Sequence, residues 1–527
     1  MLYLKSTRAH RSQARKRRTI LLVSASPASE TPAATPTMSA ASAAPSSGLS
    51  PATTGAAASP SPSPAPAKTP SATYILFALV TIGAGLGGLT QTALNTMAAD
   101  VLADLGTEIG WGQWITTAYI FSMGVAVPLA SYLTKRFSVR SLLVGAFLLY
   151  LAGSLCDFAA QSFPMLLVGR VLEAVATGVL MPLLQTIAMT RFPENRHGTA
   201  MGVAGIALGF APNVGPVIGG AIMGAAGWRF LFLVLVASSA ALLALTLLFV
   251  KERDVENASA RLETISLLLA ALGFGGLLVG FTDAANYELA HPLVWAPLVV
   301  GAVCLALFLR RQCKVPNPLV NLGIFASGKY RACFAAQCFL YGCFLGMTLI
   351  VPLFVIEGGG HSAFDAGLVL LPGAFAALVF EPLAGMASDR LGPRRVAIFG
   401  GAFLTAGATG MAFLPTSTPL WAAALFQTLR CVGLTTLIPT TTAWGLSDLR
   451  KRGITTDGSS FMIMSRQIVA AMATAVMVFL ITAFATPQTP ELGYHLALGF
   501  SGLLGACTLL TVVAFVRPRE GRRAEGA

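Results

Sequence analysis

Apolar residues in this chain do not alternate with polar ones. From Thr73 onward they run in blocks of about 20 or more, separated by short polar stretches. Fourteen blocks can be read: 73–97, 112–134, 141–160, 163–189, 197–224, 228–250, 264–283, 291–309, 332–355, 364–388, 394–414, 418–446, 459–484 and 491–516. Each predicts a membrane-crossing α-helix, which satisfies all its backbone hydrogen bonds within one segment. Before Thr73 the pattern stops. Residues 1–72 open with the basic run "RSQARKRRT" and continue through Ala/Pro/Ser-rich stretches such as "SPSPSPAPAKTP". Such composition buries no core, so a disordered extension is expected. Residues 517–527 form a second polar tail.

The polar stretches fall into two alternating sets. One contains "KRFSVR", "RFPENRHG", "KERDVENASARLE", "RRQCKVPNPLVNLGIFASGKYR", "DRLGPRR", "SDLRKRG" and "RPREGRR", and holds 23 Lys and Arg. The other holds one, Arg229. Basic loops stay on the cytoplasmic side, so both termini are expected there.

Composition agrees. Of 527 residues 55% are hydrophobic and only 11% charged, whereas soluble domains carry about 25% charged residues. The formal charge of +13 could suggest nucleic acid. The basic residues sit in the tails and between blocks, so they read as topology signals; the bilayer, not nucleic acid, is the expected partner. The eight cysteines form no CxxC and lie mostly within apolar blocks, as packing residues rather than metal ligands. Nothing fits GxxxxGK[ST], and the five histidines lie in tails or at block ends. No cofactor, metal or enzymatic chemistry is expected.

Two features recur within the chain. "SYLTKRFSVR" (131–140) closes the second block and "GMASDRLGPR" (385–394) the tenth. The fourth block carries Arg170 and the twelfth Arg430. The second and fourth members of two sets of six therefore correspond. The expected architecture is an all-α integral membrane protein of two six-helix bundles, residues 73–250 and 331–516, with two spans inserted in 251–330. Parallel six-span repeats are a common plan of secondary transporters.

Charges inside the blocks are few. Arg170 and Glu173 lie three residues apart, on one face of a helix. At a bilayer centre each costs roughly 2.5–3.5 kcal/mol, so both are candidate functional groups. Glu381, Arg430 and Arg466 are the others singled out. In the fifth block, Gly205/Gly209, Gly215/Gly219 and Gly220/Gly224 are small residues four apart, allowing close helix approach. Pro212 and Pro216 remove backbone donors and can kink the helix.

The chain resembles the fourteen-span drug/proton antiporter branch of the major facilitator superfamily over most of 73–516. "GMASDRLGPRR" is similar to that family's cytoplasmic loop motif, with Gly385, Asp389, Arg390, Gly392 and Arg394 in place. The fifth block resembles its antiporter motif through Gly202, Gly215, Pro216, Gly219 and Gly220. "QWITTAY" (113–119), "AGLVLLP" (366–372) and "SRQ" (465–467) resemble its spans 2, 10 and 13. The resemblance implies a cytoplasmic gate at Gly385, Asp389, Arg390, Gly392 and Arg394, with Lys135, Arg136 and Arg140 in the other copy. That first copy departs from the pattern: Ser131, Lys135 and Ser138 replace Gly, Asp and Gly, so the lock is expected to rest mainly on the second copy or on different partners.

The first span departs too. Where the family often has L-D-x-T-I-V-N-V-A-L-P, this chain has "LTQTALNTMAA" (89–99): Thr92 and Asn95 match, but Thr90 replaces the Asp and Ala99 the Pro. The span-4 pattern R-x-x-Q-G reads R-V-L-E-A, so an acid has left span 1 and one has appeared at Glu173. Glu173, with Arg170 beside it, is the expected proton-coupling group, and Glu381 the second candidate. Thr92, Asn95, Trp114, Tyr119, Met181, Gln185, Phe210, Arg430 and Arg466 are candidate cavity residues. The resemblance implies proton-coupled export of amphipathic drugs by a monomer in a bacterial inner membrane, with a periplasmic adaptor and an outer-membrane channel as candidate partners. The alternatives are a dedicated exporter of one metabolite, such as a siderophore, sugar or small acid, and a transporter-like sensor.

Overall fold

The computed structural model describes residues 71–108, 111–251, 262–284, 291–316, 318–415, 418–484 and 490–516. The expected disorder of residues 1–72 and the tail 517–527 thus fall almost wholly outside it. Every long element is a helix: α1 Ser71–Asp104, α2 Gln113–Arg136, α3 Val139–Phe158, α4 Phe163–Thr190, α5 Glu194–Ala226, α6 Trp228–Phe249, α7 Thr264–Asp283, α8 Pro292–Gln312, α9 Gly328–Gly358, α10 Ala363–Leu391, α11 Pro393–Ala412, α12 Leu420–Lys451, α13 Thr455–Phe484 and α14 Pro490–Phe515.

Thirteen of these are long and apolar enough to cross a membrane; α11 is not among them. It is a 20-residue helix whose first turn carries Arg394 and Arg395, and four glycines and two threonines dilute its hydropathy. The count read from the sequence is thus met by fourteen helices but by thirteen clear spans.

The packing is that of a protein in lipid. Arg170, Glu173, Asp157, Glu381 and Asp457 are fully buried, while Leu248, Leu268 and Leu510 are at least 60% exposed. In water this distribution would be unstable; against acyl chains it is the expected one. One core joins α1–α6 and continues through Phe274 and Phe308 of the α7–α8 hairpin to Tyr330 and Phe461. Two further cores lie among α9–α14. The α7–α8 pair closes on itself through Gly273, Gly276 and Gly301, whose backbones meet side by side, and Gly275 packs under Phe121 of α2. Lys135, Arg196, Lys329, Arg390 and Arg450, from the described parts of the basic loops, lie at one end of the molecule. At the other, Arg229 is tied to Asp104 and to the Ala160 carbonyl.

Candidate functional site: a buried ion pair and two pseudo-symmetric seams

Arg170 and Glu173 sit where α4 crosses α3. The crossing is made by glycines: a Cβ on Gly153 would lie 2.7 Å from the Gly169 carbonyl. The close approach brings Ser154 over Glu173, whose Oε1 accepts its hydroxyl at 2.7 Å. Arg170 Nη1 donates to Glu173 Oε2 at 2.7 Å, and Arg170 Nη2 to the Thr90 carbonyl at 3.1 Å. The guanidinium lies 4.2 Å from the centre of the Tyr119 ring. That tyrosine's hydroxyl is 2.9 Å from the Gly87 carbonyl and 2.8 Å from Thr177 Oγ1. Thr90 Oγ1 meets the Tyr150 hydroxyl at 3.1 Å. Four helices, α1–α4, thus close around one ion pair. Thr90, standing where the resemblance would put an acid, still addresses Arg170, but through its carbonyl.

One residue of this cluster was missed from the sequence. Asp157 of α3 is fully buried against Gly169, and neither carboxylate oxygen has a hydrogen-bond partner. Arg170 Nε also lacks one. The signal was present: an acid inside the block 141–160.

Glu381 lies elsewhere, on the seam between α5 and α10. Gly198, Gly202, Gly205 and Gly209 form a row along α5, and a Cβ at any of them would meet Glu381, Pro382, Gly385 or Asp389. Glu381 is buried against Gly205 and Gly209 with no side-chain hydrogen-bond partner among the described residues. At this level α5 opens into a π-turn, Ile206–Phe210, which contains the candidate Phe210. A second row, Ala207, Ala211, Gly215 and Gly219, faces α1, whereas Gly220 looks into open space. Pro216 has no N–H, so the Pro212 carbonyl four residues before it has no helical donor. Thr92 Oγ1 of α1 supplies one at 2.7 Å. The candidate Thr92 is therefore a tie between α1 and α5.

At the basic end the two motif copies occupy equivalent seams. In the second copy, Asp389 of α10 accepts from Gly198 N at 2.8 Å, Thr199 N at 2.6 Å and Thr199 Oγ1 at 2.7 Å, capping the start of α5. In the first copy, Lys135 of α2 pairs with Asp457 in the first turn of α13 at 3.2 Å, and Ser131 Oγ donates to the same carboxylate. The polarity is exchanged. In one seam the loop motif brings an acid to bare helix amides; in the other the helix carries its own acid and the motif brings a base. Gly392 has φ +87°, a conformation that requires glycine, whereas Ser138 has φ −65° and caps α3 by accepting from Ser141 N. The departures of the first copy therefore fit the backbone they occupy. Asp457 was also missed, because the apolar block begins two residues after it.

The remaining candidates are dispersed. Arg430 Nε donates to Gln427 at 3.0 Å, close to Gly407 of α11. Arg466 stacks 4.2 Å from the Tyr341 ring, and its Nε and Nη1 make no hydrogen bond. Gln185 is buried with neither amide atom paired, and Met181 is buried near it on α4. Trp114 is 46% exposed. Arg140 reaches the Leu247 carbonyl at 3.2 Å. The side chain of Asn95 lies outside the described residues. Among the described residues no cluster of His, Cys, Asp and Glu suits a metal ion.

The family model for the Major Facilitator Superfamily matches residues 80–474. The chain is 30% identical over 442 residues to the uncharacterized MFS-type transporter YcnB of Bacillus subtilis, covering 84% of this chain and 93% of that one. It is 29% identical over 405 residues to the lincomycin resistance protein LmrB of Listeria monocytogenes, covering 76% and 85%. Among solved structures, the human organic anion transporter MFSD10 superposes with a TM-score of 0.59 at 12% identity, covering 83% of this chain and 100% of that one, a likeness of fold.

Proposed function

The chain belongs to the Major Facilitator Superfamily, and from that premise we propose that it is a proton-driven antiporter exporting amphipathic toxic molecules across a bacterial cytoplasmic membrane. It is an integral membrane transporter of small substrates and not an enzyme. The observation that carries the proposal is Glu173, a fully buried carboxyl paired with a fully buried arginine inside one bundle. Ionised, Glu173 balances the charge of Arg170. Protonated, Glu173 leaves Arg170 as a buried cation held by the Thr90 carbonyl and the Tyr119 face. A cationic substrate and the proton then disfavour one another in the same bundle, which is the linkage an antiporter needs. The glycine rows of α5 supply the joint on which the bundles rock, and the Asp389 and Lys135–Asp457 seams form the gate on the cytoplasmic side. On this reading α11 is the fourteenth span: α10 and α12 both end in basic loops, and only a crossing α11 puts those on one side.

The test uses inside-out vesicles energised acid inside, with uptake of a cationic fluorescent dye by wild type and Glu173→Gln. Wild-type uptake that collapses with the pH gradient, together with a folded but inactive variant, supports the assignment. A fully active variant rejects Glu173 and makes Glu381 the next target. One observation favours the dedicated-metabolite reading: Arg466 is a buried cation whose Nε and Nη1 have no hydrogen-bond partner among the described residues, suited to a substrate carrying an acid. Uptake of an anionic probe, with none of the dye, would favour that reading.

A further inference from the structure

A cavity of about 1820 Å3 lies apart from the Arg170–Glu173 pair, and its wall includes Asp389, Arg390, Gly392 and Arg394 of the cytoplasmic loop motif. It opens at the basic end, between the first turns of α1, the start of α5, the end of α10 and the start of α11. Its rim carries four guanidinium groups: Arg196 from one bundle, and Arg390, Arg394 and Arg395 from the other. Among the described residues none of the four is in an ion pair, and Arg196 Nη1 donates to the Tyr74 hydroxyl at 3.0 Å. The one acid in the wall, Asp389, is occupied in capping α5. Below the rim the walls turn apolar, with Phe77, Ile82, Val203, Met386 and Ile398. Ile82 lies eight residues past Tyr74, which on a helix is about 12 Å deeper.

A charged rim at the helix ends above an apolar cleft matches one kind of molecule, with an anionic head and hydrocarbon chains. We propose that this groove binds an anionic phospholipid of the leaflet on the basic side, its phosphate among Arg196, Arg390, Arg394 and Arg395 and its chains against α1, α5 and α11. The chain's own N-terminal extension is the wrong occupant. Residues 1–70 hold eight basic residues and a single acid, Glu30, so the rim repels them. A soluble anion would leave the cleft below it unused. Because the arginines come from both bundles, one bound lipid spans the seam that Asp389 closes.

The experiment uses the full-length protein in nanodiscs of phosphatidylcholine containing phosphatidylglycerol. An Ile398→Trp reporter, read as the quenching gained over wild type with its six native tryptophans, is quenched by brominated-chain lipid. The expected result is quenching at lower mole fraction by brominated phosphatidylglycerol than by brominated phosphatidylcholine. In that background the set Arg390→Gln, Arg394→Gln and Arg395→Gln abolishes the preference, at about fivefold in retention per arginine removed. The corresponding Arg→Lys set retains most of it. Equal quenching by the two lipids overturns the proposal without reference to any variant's folding. So does displacement of the lipid by millimolar inorganic phosphate, which would identify a soluble anion as the occupant. An undiminished preference in the glutamine set, shown monodisperse by size exclusion, also overturns it.

Discussion

At the scale of single residues, the buried acids separate by what holds them. Glu173 is held by Arg170 and Ser154, whereas Asp157 and Glu381 have no side-chain donor among the described residues. Gly169 is the residue that makes room for Asp157, and any side chain there would strike its carboxylate and the Gly153 carbonyl. Gly169→Ala is accordingly expected to destabilise the protein by about 1–3 kcal/mol, as overpacking does. Thermal unfolding in detergent would read this as a clear fall in midpoint, while Gly145→Ala, where a Cβ meets nothing, leaves it unchanged. Arg170 and Glu173 were legible in the sequence because charges three apart in an apolar block have few bland explanations. Asp157 was equally visible as an acid in a block. What the string could not show was that Gly153 and Gly169 draw two backbones together and seal it from both ends of the molecule.

At the scale of elements, helix identity and order were readable almost throughout, since block length against bilayer thickness is a strong constraint. The ends were less so. The α13 helix begins at Thr455, four residues before its apolar block, because its first turn is fixed by Asp457 and Lys135 rather than by hydropathy. The α11 helix shows the converse, a helix of spanning length whose glycines and threonines weaken the signal. The α5–α10 seam yields a prediction at this scale. Gly385 lies against the backbones of Gly198 and Gly202. Gly385→Val is expected to hold these helices apart, lowering transport at least tenfold while the protein still inserts. Cysteine labelling at position 199 measures the separation; labelling as slow as in the wild-type background would refute it.

At the scale of the whole molecule, the two seams at the basic end are one device with its charges exchanged. Asp457 is fully buried, so removing Lys135 leaves its carboxylate with the Ser131 hydroxyl but no cation. Lys135→Ala is expected to cost about 3 kcal/mol. Asp457→Asn should shift the molecule towards exposure of its basic end, and Lys135→Asp combined with Asp457→Lys should recover part of the wild-type behaviour. Solvent accessibility of a cysteine at Thr186 gives the readout, since Thr186 touches Thr456 across the seam at 3.0 Å. Additive effects of the two reversals would show that the pair does not act as a unit. The repeat was legible in the motif copies. The exchange of polarity was not, because Lys135 read as a lost acid until the structure placed Asp457 beside it.

The Thr92–Pro212 hydrogen bond also bears on how the protein is made. Pro216 deprives α5 of an internal bond, and a carbonyl left bare in hydrocarbon costs several kcal/mol. The donor that answers it belongs to a helix more than a hundred residues earlier in the chain. During synthesis that helix leaves the ribosome first, so the hydroxyl is in the membrane before the carbonyl arrives. A circular permutant that places α5 ahead of α1 would meet the bilayer with that carbonyl unanswered. Its insertion should be slower and its nascent chain more exposed to membrane proteases than those of the natural order.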